Sequence, residues 1–115
     1  YQRSLALTER LLGPDHPLVL ENLVSIGDLE RRQGHAQIAL ATLEKAYARL
    51  DPESGNDEIA GRIRFALAQA LVAAHGDAAR ATRLAQEARA NFEAIGADAE
   101  SLRRDVESWL AHPPR

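Results

Sequence analysis

At 115 residues, with 14 basic and 17 acidic side chains, a formal charge of −3 and no cysteine, the chain is one domain's worth of material. A core of that size needs no staples, and the lack of thiols excludes a disulfide framework and a thiolate metal site. Acids and bases are mixed throughout, so no basic stripe awaits a nucleic acid, and no apolar run nears the roughly 18 residues needed for membrane insertion, leaving a cytoplasmic location as the default.

The text YQRSLALTERLL opens the chain at Tyr1 already in a helix-like pattern and reads as part of a longer protein. LLGPDHP, residues 11–17, then marks a joint between helices. Gly13 can close a helix in the left-handed conformation, Pro14 cannot continue one, and Pro17 suits the first turn of the next. Asp15 or His16 is the expected N-cap. In HPLVLENLVSIGDLERRQG, Val19, Leu23, Ile26 and Leu29–Glu30 keep a 3.6-residue rhythm that stops at Gly34. HAQIALATLEKAYARL follows with Ala39, Leu43, Ala46, Tyr47 and Leu50 on one face, and Pro52 ends that helix near Leu50. From about Asp57, Ile59, Ile63, Leu67 and Leu71 line up as far as the turn at His75–Gly76. A partner helix carries Ala81, Leu84, Ala88 and Phe92 and ends near Gly96. The last helix, about 98–111, places Leu102, Val106, Trp109 and Leu110 on one stripe before Pro113–Pro114 forbid more. The sum is six helices and no strand.

The pattern repeats. Ser4, Ala46 and Ala88 recur every 42 residues, and the same offset joins Gly13 to Gly55, Asp15 to Asp57, Gly34 to Gly76 and Ala39 to Ala81. A fixed period of that length means stacked supersecondary units, here pairs of helices.

These residues resemble the tetratricopeptide repeat family, in its longer form of about 42 residues found in kinesin light chains and many bacterial proteins. That form's text, leucine-glycine-proline-aspartate-histidine-proline before a helix pair, is close to LLGPDHP. Leu23, Ile26 and Gly27 match its large, large, small positions, and Gly34, Ala39, Leu43 and Ala46 match its turn and second helix; Glu30 stands where the family has an aromatic. In the next unit the best match gives the core positions to Leu67, Ala68 and Leu71, with one extra residue near His75–Gly76. The resemblance implies an all-α, right-handed superhelical stack of antiparallel helix hairpins: a half repeat over 1–13, repeats over 14–55 and 56–96, and a capping helix over 97–112. Only Lys45 among the basic residues is a lysine, as in GC-rich bacteria, and the alanine- and arginine-rich closing text is also similar to C-terminal arrays of bacterial serine/threonine protein kinases.

No residue pattern points to chemistry within these residues, and no enzyme activity or cofactor is expected of them. His16, His35 and His75 fall at joints and His112 in the tail, with no His-Glu-x-x-His spacing. There is no phosphate loop, no Gly-x-Ser-x-Gly elbow and no His-Arg-Asp or Asp-Phe-Gly text. The acids Asp51, Glu53, Asp57 and Glu58 read as a solvated linker before a helix N-terminus. Arg31–Arg32 and Arg103–Arg104 could grip an anion, but arginine near a helix C-terminus is also the dipole-favoured choice. Trp109 lies on an apolar stripe and reads as core.

The resemblance implies a protein-interaction module whose first helices line a concave groove for a peptide or partner protein. Carried over residue by residue, the groove positions are Glu21, Val24, Asp28 and Arg31, then Arg62, Phe65, Gln69 and Val72. The lysine/asparagine clamp of chaperone-binding relatives is missing, which disfavours an acidic C-terminal tail as ligand. Other expectations are a regulatory or localising segment of a kinase whose catalytic domain lies upstream, and self-association through an uncovered N-terminal face bearing Leu5 and Leu12.

Overall fold

The computed structural model describes residues 10–11, 17–50 and 57–111. Within them lie α1 (Pro17–Arg32), α2 (Ala36–Ala48), α3 (Asp57–Ala73), α4 (Ala78–Ile95), a 3-10 turn (Ala97–Ala99) and α5 (Glu100–Ala111), with no strand among the described residues. Arg10 and Leu11 are helical and exposed. The joint at 12–16, the linker with Asp51, Pro52, Glu53 and Gly55, His112 and the proline tail lie outside the described residues, as do Leu5 and Leu12.

The helices pair as hairpins, α1 with α2 and α3 with α4, and the hairpins stack through α2 on α3 and α1 on α3, with α5 laid against α4. The fold is therefore an all-α stack of helix hairpins. Its core is the set of faces that the spacing marks out: Val19, Leu23 and Ile26 on α1, Ala39, Leu43 and Ala46 on α2, Ile59, Ile63, Leu67 and Leu71 on α3, and Ala81, Leu84, Ala88 and Phe92 on α4 are all buried. Val106 is the fully buried residue of α5.

Close approach within each hairpin depends on glycine. A Cβ on Gly27 would sit 2.6 Å from Leu43 Cγ, and one on Gly61 would sit 2.6 Å from the Phe92 ring. The second of these contacts is invisible in the repeat pattern. Glu30, the departure from the aromatic that the resemblance noted at this position, is half-buried and accepts a 2.7 Å hydrogen bond from the Thr42 hydroxyl, tying α1 to α2 by a polar contact.

Three expectations need correction. Leu29 is 42% exposed rather than part of the core stripe; it falls eleven residues after Leu18, three helical turns, on the same exposed flank of α1. Arg103 and Arg104 lie in the N-terminal half of α5, so no C-terminal dipole explains them; they pair along the helix with Glu107 and Glu100. The structural counterpart of Gly34 is His75, not Gly76. Gly34 and His75 both take positive φ, 87° and 58°, and they donate alike, Gly34 N–H to the Arg31 carbonyl and His75 N–H to the Val72 carbonyl. The following residues complete the same cap, His35 N–H to Glu30 and Gly76 N–H to Leu71. Then the repeats differ. His35 also occupies the N-cap position of α2, whereas in the next unit that position passes to an additional residue, Asp77, whose Oδ1 accepts from Arg80 N–H at 3.1 Å. First helices therefore correspond at an offset of 41 and second helices at 42.

Candidate peptide-binding groove

The offset of 41 aligns Glu21 with Arg62, Val24 with Phe65, Asp28 with Gln69 and Arg31 with Val72. Six of these eight, Val24, Asp28, Arg31, Arg62, Phe65 and Gln69, line one cavity of about 350 Å³ between α1, α3 and α5. Glu21 is exposed and outside it, one turn before Val24; Val72 is half-buried against the core. Ser25, Arg32, Ala66, Phe92, Leu102 and Asp105 complete the lining.

Phe65 serves both core and cavity. Its ring packs on the core and meets the Trp109 ring edge-on, with centroids 5.9 Å apart and planes at 86°. That contact, with Leu102 and Asp105, makes α5 a wall of the cavity. Neither Leu102 nor Asp105 stands 41 or 42 residues from a lining residue of α3, so the repeat offsets do not mark them as cavity residues; the meeting of α5 with Phe65 does.

The polar groups divide by helix. Arg62 on α3 is paired with Glu58 at 2.9 Å. On α1, Arg31 Nη2 stands 3.9 Å from Asp28 Oδ1, beyond hydrogen-bond reach, and both Asp28 Oδ1 and Arg31 Nε are shielded from solvent without a hydrogen-bond partner. Burial pushes the Asp28 carboxyl above the usual carboxylate range, and the nearby charges of Arg31 and Arg32 pull it back only in part. Arg32 and Asp105 form no ion pair among the described residues.

The remaining candidates have structural places. Glu58 is the ion-pair partner of Arg62, and Asp57 opens α3. His35 and His75 border a surface hollow of about 360 Å³ beside Ile38, at the edge where the hairpin turns meet. No group of three or more metal-binding side chains occurs among the described residues, and no described helix is long and apolar enough to cross a membrane.

A stack of antiparallel helix hairpins with a cavity along its first helices is a helical-repeat architecture. Residues 1–51, just under half of the chain, match the family model described as tetratricopeptide repeat. Repeats of that family generally mediate protein–protein interaction and are non-catalytic. No curated protein and no solved structure matches the chain.

Proposed function

We propose that this chain is a non-catalytic protein-interaction module of the tetratricopeptide type, in its form of about 42 residues, which holds a peptide or partner segment in the cavity between α1, α3 and α5. The observation that carries the reading is the convergence of Val24, Asp28, Arg31, Arg62, Phe65 and Gln69 on that cavity. Its floor is apolar and its rim charged, the arrangement in which a buried anchor supplies desolvation energy and rim charges set direction. On this reading α5 is the cap that closes the stack. Its outer face carries the pairs Arg103–Glu107 and Arg104–Glu100, so this helix turns its apolar stripe to the core and charged side chains to water.

In a longer parent the module would localise or regulate a catalytic domain upstream, the bacterial protein-kinase arrangement that the closing text resembles; the parent's sequence decides that point. The groove is tested by capturing a partner with the intact array and titrating it against Phe65→Ala and Arg31→Ala, with circular dichroism as the folding control. Phe65→Ala weakens binding more than Arg31→Ala, because rim charges contribute only about 0–1 kcal/mol each. A folded Phe65→Ala variant with full affinity refutes the assignment.

A further inference from the structure

The cavity is electrically polarised across its width. Its α1 wall carries Arg31 and Arg32 against a single carboxylate, Asp28, for a net charge of +1. The α3 floor between the walls is neutral in effect, since Arg62 is held by Glu58 at 2.9 Å and Phe65 and Gln69 carry no charge. The α5 wall offers Asp105 alone. Arg32 and Asp105, the charges at opposite sides, are both exposed and, among the described residues, unpaired by any salt bridge. Charges in that position serve recognition better than stability, because an exposed charge without a partner adds little to the fold while still steering and orienting what arrives.

We propose that the groove selects a short peptide of zwitterionic pattern, an acidic side chain toward α1, an apolar side chain on Phe65 and a basic side chain toward Asp105 on α5. The proposal rests on the groove reading above and adds to it the sign and order of the ligand's charges. A diacidic peptide meets the α1 wall but is repelled at Asp105. A dibasic one meets Asp105 but is repelled by Arg31 and Arg32. A peptide without charges gains only the anchor. The cavity's size, about 350 Å³, is near the lower limit of ligand pockets and suits one large apolar side chain with its flanking backbone.

Trp109 is the only tryptophan of the chain and touches Phe65 edge-on, so its emission reports occupancy of the floor. The full chain is titrated at low salt with four capped peptides, each with a central leucine flanked through single glycines by glutamate and arginine, two glutamates, two arginines, or two glutamines. The glutamate–arginine peptide binds about fivefold more tightly than the others, and the margin shrinks as salt screens the exposed charges. Arg32→Glu shifts the preference to the diarginine peptide and Asp105→Lys shifts it to the diglutamate peptide; both positions are exposed, and circular dichroism checks the fold. Equal binding of all four peptides, with Phe65→Ala abolishing it, overturns the charge order and leaves the groove reading standing. No response of Trp109 to any peptide at millimolar concentration overturns both. A change of Trp109 emission on dilution without peptide assigns the groove to a second copy of the chain and overturns the peptide.

Discussion

Arg80 on α4 donates two hydrogen bonds to the Glu44 carboxylate on α2, at 3.0 and 2.7 Å, and holds its guanidinium 5.9 Å from the Tyr47 ring centroid. This fork ties the second helices of successive repeats, which otherwise meet mainly through α3. Both partners keep about a third or more of their side-chain surface in water, which limits the strength of the pair. A double-mutant cycle of Glu44→Gln and Arg80→Ala in urea unfolding should give a coupling of about 0.2–1 kcal/mol. Arg80→Lys should recover only part of it, because an ammonium cannot make the paired bonds. A coupling of zero would mean that the fork contributes nothing to the stack.

The glycine contacts predict destabilisation by the smallest of side chains. Gly27→Ala and Gly61→Ala each place a methyl 2.6 Å from a buried neighbour. Alanine gains about 1 kcal/mol in helix propensity, yet overpacking costs about 1–3 kcal/mol, so thermal melts should show a lower midpoint for both. Ala46→Leu and Ala88→Leu, at fully buried positions, should cost as much or more. Gln37→Ala, on the surface, should change little.

The two helix caps predict opposite responses to opposite exchanges. His75 occupies with φ 58° the place that Gly34 occupies with φ 87°. His75→Gly should raise stability by about 0.5 kcal/mol, the relief of left-handed strain less the added freedom of the unfolded chain. Gly34→Ala should lower it by about 1 kcal/mol. No gain in the His75→Gly urea midpoint would show that the histidine side chain compensates its own strain.

Asp28 predicts a pH dependence. Burial raises its folded-state pKa above the unfolded value, against the attraction of Arg31 and Arg32 on α1; Arg62 on α3 and Asp105 on α5 share the cavity with it. A raised carboxyl pKa means that the native state binds the proton more tightly. The stabilisation is complete below the ordinary carboxylate range and is lost as pH rises through the raised value. Asp28→Asn should therefore be more stable than the parent at pH 7, by about 0.5 kcal/mol given the 34% exposure of the side chain, with the difference vanishing in acid. Melts at several pH values check the sign; a less stable Asp28→Asn at neutral pH would show that the carboxylate is satisfied.

What the sequence determined by itself is the set of helices and most of what they bury. Spacing and punctuation are local, and a helix needs only local information to declare which arc is apolar and where a glycine or proline stops it. Hence Val19, Leu23 and Ile26, or Ile59, Ile63, Leu67 and Leu71, could be read as buried lines, and Pro17, Gly34 and Gly96 as boundaries. The tertiary structure alone decided which flank of α1 faces a neighbour, so that Leu29 is exposed. It alone decided that the left-handed place of Gly34 falls on His75, with Asp77 as the additional residue, because two nearby glycine-like positions satisfy the same pattern and only the cap hydrogen bonds separate them. Likewise it decided that Gly61 meets Phe92, that Trp109 meets the Phe65 ring, and that Leu102 and Asp105 join α3 around one cavity. Those relations depend on how closely and at what angle helices pack, which the volumes of side chains meeting across the interface set, and no spacing along a single helix carries that information.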